Sequence, residues 1–138
     1  MNAYIATSVL LRIVLGQRGS LREWKQIETG VTSALAEVEC LRTLDRLRLR
    51  ASLDDVTIAE RREAVYRILA ELHVVEPTRP VLARAAQPLP TSLGTLDAIH
   101  LATAQLWREE SPEELVVATH DTELGLAARA VGFRVMGV

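Results

Sequence analysis

Short β-like runs alternate along this chain with longer segments of helical spacing, and two of the runs, Ala3-Tyr4-Ile5 and Leu115-Val116-Val117-Ala118, are wholly apolar. A strand with no polar alternation has no face to give to water, so it must be covered on both sides. The intervening segments supply the covers. Thr7 to Leu15 carries Val9, Leu10, Ile13 and Val14 at helical spacing, and further helices are predicted over Ala34–Arg50, Thr57–Leu72, Pro80–Ala86, Leu96–Arg108 and Asp121–Val131. Val31–Ser33, His73–Glu76 and Phe133–Met136 are the remaining predicted strands. Two capping signatures stand out: Ser20 with Glu23 opening a short helix that ends near Gly30, and Thr57 with Glu60 opening the next long one. Strands joined by helical crossovers build a parallel sheet by right-handed connections. The expected fold is therefore an α/β/α sandwich with a central, mainly parallel sheet.

With 138 residues, 49% of them hydrophobic, the chain can bury one core and not two, so residues 1–138 are expected to form a single domain. The longest apolar stretch, Ala3 to Gly16, is interrupted by Arg12, falls short of the ~20 residues of a membrane span, and has no basic leader before it. A soluble, cytoplasmic protein is expected. Cys40, the only cysteine, excludes an internal disulfide and a thiolate zinc site, and reads as a small buried hydrophobe. A formal charge of −2 argues against a polybasic chain that coats nucleic acid. It leaves room for a nuclease that borrows positive charge from bound cations.

In a parallel sheet, function collects beyond the carboxyl ends of the strands. Asp121 follows the fourth strand in Val117-Ala118-Thr119-His120-Asp121, Asp97 opens a helix, and Glu39 lies in the helix after the second strand. Ala6 holds the matching place after the first. Each acid alone has an ordinary explanation. Asp97 and Asp121 suit helix starts, and Glu39 shares a stripe with Arg42 and Arg46 that suits a solvated ion pair. Thr7, Ser8 and Thr119 are either ligand-orienting hydroxyls or plain caps. His100, among apolar neighbours, reads as structural, as does His120. Trp24 reads as packing, and Arg42, Arg46, Arg48 and Arg50 as a solvated face or a set of phosphate contacts.

Taken in order, four stretches resemble the motifs of the PIN-domain family, and within it the VapC toxins of bacterial toxin-antitoxin pairs. They are Tyr4-Ile5-Ala6-Thr7-Ser8-Val9-Leu10-Leu11, Val38-Glu39-Cys40-Leu41-Arg42, Leu96-Asp97-Ala98-Ile99-His100-Leu101-Ala102 and Thr119-His120-Asp121. In the family the first stretch reads as an apolar pair followed by Asp-Thr-Ser, and only Ala6 departs from it here. The resemblance implies hydrolysis of RNA phosphodiesters with Mg²⁺, or Mn²⁺, a cognate VapB-type antitoxin and a homodimer. It implies that Asp97 and the aspartate missing at Ala6 are the principal metal ligands. Glu39 would position the metal or its water, and Asp121 would complete the site. That chemistry suits carboxylates, because Mg²⁺ takes oxygen ligands, keeps several waters and needs only one or two protein carboxylates. Alanine offers no oxygen, so the resemblance also implies impaired or absent activity, through a replacement introduced to silence a toxic nuclease or through natural degeneration. Two further readings stand beside it: a binding module that sequesters RNA or antitoxin, and an acid-cluster nuclease acting on DNA.

Overall fold

The computed structural model describes residues 1–138. Five strands, β1 (Asn2–Ile5), β2 (Thr29–Ser33), β3 (His73–Val75), β4 (Leu115–Ala118) and β5 (Val135–Met136), are threaded among six helices. These are α1 (Thr7–Val14), α2 (Leu35–Ala51), α3 (Asp55–Ala70), α4 (Arg79–Ala85), α5 (Thr95–Glu110) and α6 (Thr122–Ala130). The strand order is β3-β2-β1-β4-β5 and every neighbouring pair is parallel, as expected for the sandwich. The chain first builds outward from β1 through β2 to β3, then returns to lay β4 on the other side of β1. That reversal opens a crevice at the carboxyl ends of β1 and β4.

Alternation along β1 divides the core in two. Ala3 and Ile5 join Val9, Cys40, Leu44 and Val65 on the side of α1, α2 and α3. Tyr4 and Ala6 join Leu101, Leu124 and Ala127 on the side of α5 and α6. Ala6 therefore faces the helices that carry Asp97 and Asp121. Cys40 is free and buried, and Trp24 packs partly buried against the first cluster. No helix is long and apolar enough to cross a membrane.

Local expectations fail at three places. The helix predicted from Ser20 and Glu23 is only a single 3-10 turn, Trp24–Gln26, without a side-chain cap. Gly30 does not end it. Gly30 lies within β2, where an added Cβ would stand 2.5 Å from Leu72 Cδ2 and 3.0 Å from Ile5 Cδ1, so the glycine serves close approach. The cap of α3 is Asp54, whose Oδ1 accepts the Thr57 N–H at 2.7 Å. Thr57 is thus the donor in this cap, and the helix begins two residues earlier than its hydroxyl suggested. β5 is also shorter than predicted, because Phe133 turns into the second core cluster instead of pairing.

Candidate active site

A cleft of about 370 Å³ lies beyond the carboxyl ends of β1 and β4 and gathers Ala6, Thr7, Ser8, Glu39, Asp97, Thr119 and Asp121. All seven candidates from the sequence line it. Ala6 is the last residue before α1, Glu39 begins the second turn of α2, Asp97 is in the first turn of α5, and Asp121 immediately precedes α6. Four separate elements thus aim at one place because α1, α2, α5 and α6 all begin at the carboxyl-end side of the sheet.

Glu39 does not pair with an arginine. Its Oε1 receives the Thr7 hydroxyl at 3.0 Å and His100 Nε2 at 2.5 Å. The other ring nitrogen of His100, Nδ1, lies 2.6 Å from the Tyr4 hydroxyl. Burial pushes the Glu39 carboxyl up, but the bonds and positive character of His100 and the Thr7 bond outweigh it and hold Glu39 below the usual carboxylate range. Tyr4 is driven the other way, by burial and then by the Glu39 charge, and so keeps its proton. Arg42 pairs instead with Asp45 at 3.2 Å, while Arg46 donates to Thr43 Oγ1 at 3.2 Å. Both arginines line the cleft, whereas Arg48 binds Asp45 away from the acids.

Asp121 caps α6, as the ordinary reading expects: Oδ1 accepts the N–H groups of Glu123 at 2.8 Å and Leu124 at 3.1 Å. Both bonds use one oxygen, and Oδ2 makes none within the protein. Thr119 and Ser8 hold this segment in place. Thr119 Oγ1 accepts the Asp121 N–H at 3.0 Å, and Ser8 Oγ accepts the His120 N–H at 2.9 Å and meets Thr119 Oγ1 at 3.3 Å. The His120 ring turns to the Gly137 carbonyl at 2.9 Å and does not line the cleft. Asp97 makes no side-chain hydrogen bond. Burial, then the charge of Asp121, and further the charges of Glu39 and Glu123 raise its carboxyl above the usual range against an opposing pull from His100.

Carboxylates that disfavour one another's charge mark a place where a cation would be welcome. The donors left open are all hard oxygens: Asp97, Glu39 Oε2 and Asp121 Oδ2. No three His, Cys, Asp or Glu side chains converge tightly enough to chelate an ion directly. That set fits a hydrated Mg²⁺-like ion held by one or two carboxylates, and fits poorly a dehydrated or sulfur-seeking one. Ala6, 3% exposed, brings only a methyl group to the same wall.

The sequence matches the model of the PIN domain over residues 3–130. The chain belongs to the PIN-domain family. It is 32% identical over 136 residues to Ribonuclease VapC46 of Mycobacterium tuberculosis (strain ATCC 25618 / H37Rv), covering 96% of this chain and 95% of the relative. It is also 32% identical over 138 residues to Ribonuclease VapC35 of the same strain, covering 96% and 94%. Among solved structures, FitAcB from Neisseria gonorrhoeae shares the fold with a TM-score of 0.74 at 20% identity, covering 97% of this chain and 96% of that one. A toxin-antitoxin complex from Klebsiella pneumoniae shares it with a TM-score of 0.69 at 18% identity, covering 94% of each chain.

His100 and Tyr4 are the site residues that reading the sequence missed. Helical spacing put His100 on an apolar face, and Tyr4 in an apolar strand gave no polar signal. The one hint was the His100 ring, a polar group where only core was expected.

Proposed function

We propose that this chain is the toxin of a VapBC-type pair: a Mg²⁺-dependent endoribonuclease by design, disabled in this sequence by Ala6. The observation that carries the reading is the gathering of Asp97, Glu39, Asp121 and Ala6 from four elements into one cleft. The names of the relatives, ribonucleases, support the reaction. Those of the fold neighbours, which include a toxin-antitoxin complex, support an antitoxin partner. A homodimer is part of the same reading.

Asp97 is the principal carboxylate for a divalent ion, Asp121 Oδ2 lends charge from the far wall, and Glu39 Oε2 accepts a proton from, or orients, a water. When bound, Mg²⁺ or Mn²⁺ supplies an acidified water and stabilises charge on the phosphodiester oxygens. Arg42 and Arg46, on the α2 wall of the cleft, contact the backbone phosphates of the RNA. Without an oxygen at position 6 the ion is held weakly, and turnover falls with it.

Restoring Ala6→Asp tests the reading. The restored chain is expected to cut RNA with Mg²⁺, at 5′ ends that can be mapped in cells, while the Ala6 chain does not. No cleavage over a panel of RNAs and divalent ions would overturn it, and cleavage of DNA in parallel digests would move the assignment to a DNA nuclease. Ala6 itself also favours a second reading, a binding module that sequesters RNA or antitoxin without turnover. The genomic codon at position 6 tells a replacement introduced into the gene from a natural alanine.

A further inference from the structure

We infer that His100 is a positioning residue: anchored by Tyr4, it fixes Glu39 so that one carboxylate oxygen is presented to the cleft. The inference rests on the metal site of the reading above, and not on its reaction, and extends that site to residues outside the acid set.

His100 and Tyr4 are each 1% exposed, on α5 and β1, and a ring of this polarity in a core is tolerated only when its nitrogens are paired. Both are. The Tyr4 hydroxyl pairs with Nδ1 at 2.6 Å, and Nε2 donates to the Glu39 carboxylate oxygen Oε1 at 2.5 Å. Thr7 donates to the same oxygen at 3.0 Å. Oε1 is thus held from two sides, while Oε2 makes no hydrogen bond and Glu39 lines the cleft. A glutamate otherwise samples many rotamers, and ordering it costs up to about 2 kcal/mol. Here the core orders it in advance. A leucine at position 100 would fill the same apolar surroundings and leave Glu39 loose, so packing alone does not explain the histidine.

The test is calorimetric titration of Mn²⁺ into the Ala6→Asp chain and into variants of it, each checked for fold by circular dichroism. His100→Leu is expected to weaken Mn²⁺ binding about 10-fold, the lower end of what removing a hydrogen-bond partner of a ligand does. His100→Gln, whose side-chain N–H can take the place of Nε2–H, is expected to recover most of the loss. His100→Leu combined with Glu39→Gln is expected to bind no more weakly than Glu39→Gln alone, because His100 acts through Glu39. Unchanged affinity in folded His100→Leu, losses that multiply in the double variant, or no rescue by glutamine would each overturn the inference. So would an Ala6→Asp chain that binds no Mn²⁺. If His100→Leu does not fold, Tyr4→Phe replaces it; weaker binding supports the inference and unchanged binding overturns it. Metal affinity is read apart from cleavage, so a restored chain that binds Mn²⁺ but cuts no RNA would sink the nuclease reading and leave this one standing.

Discussion

Placing an aspartate at position 6 should make the protein less stable without metal and more responsive to it. Ala6 stands at the N-cap of α1 with φ −73° and ψ 155° and no side-chain cap bond. An aspartate there gains about 1 kcal/mol from capping and about 0.3–1 kcal/mol from the helix dipole. Against this, the position is 3% exposed and shares its cleft with Asp97, Asp121 and Glu39. For two carboxylates separated by about 6 Å, an effective dielectric near 20 sets the repulsion at about 3 kcal/mol. Two such neighbours would outweigh the cap by about 4 kcal/mol. For a domain of this size that is roughly 10–16 °C in Tm. Mg²⁺ at about 100 times its Kd restores about 2.7 kcal/mol. Calorimetric melts of both chains in EDTA and in Mg²⁺ measure this, and Ala6→Asn serves as control because it caps without charge and should melt above the Ala6 chain in EDTA. An Ala6→Asp chain that melts as high as the Ala6 chain in EDTA would refute the argument that these acids share one electrostatic site. So would a melt that ignores Mg²⁺.

Gly30→Ala should cost about 1–3 kcal/mol through overpacking against Leu72 and Ile5, and urea unfolding with no loss would show that β2 yields there. Glu39, held low, stabilises the fold above the usual carboxylate range and loses that contribution as pH falls through its lowered value. Asp97, held high, does the reverse: its contribution is present in acid and is lost as pH rises from the usual range through its raised value. In EDTA, Asp97→Asn should therefore raise stability near pH 7, and a drop in urea-measured stability would contradict the sign. Asp121→Asn should keep the α6 cap and lose the response of Tm to Mg²⁺, whereas Asp121→Ala should also cost about 1 kcal/mol; equal stability of the two would deny the cap its role.

Strand and helix order could be read from the chain because β1 and β4 are continuous apolar runs and the helices between them are long enough to show their period. The misreadings before β2 and at the start of α3 share a cause. Ser20, Thr57 and Gly30 each carry a local signal that something distant or adjacent overrules: the passage into β2, the carboxylate of Asp54, and the Leu72 side chain against which β2 packs. The acids were legible because their places in the motifs are distinctive. The role of His100 was not, since its partners are 61 and 96 positions away and nothing in the spacing of α5 reports them. Asp121 was legible as a cap, which Oδ1 makes, and its other oxygen has no partner within the protein at the cleft.

The position of β4 beside β1 has a bearing on how such a chain is made. Asn2 faces Leu115 and Ile5 faces Ala118, so the central strand leaves the ribosome long before the neighbour it waits for. At about 5–20 residues per second that delay lasts several seconds. During it one edge of β1 is unpaired and apolar, open to illegitimate pairing, and the groove has no second wall. A chain interrupted before β4 thus lacks the second wall of the cleft and leaves an apolar strand edge open to aggregation.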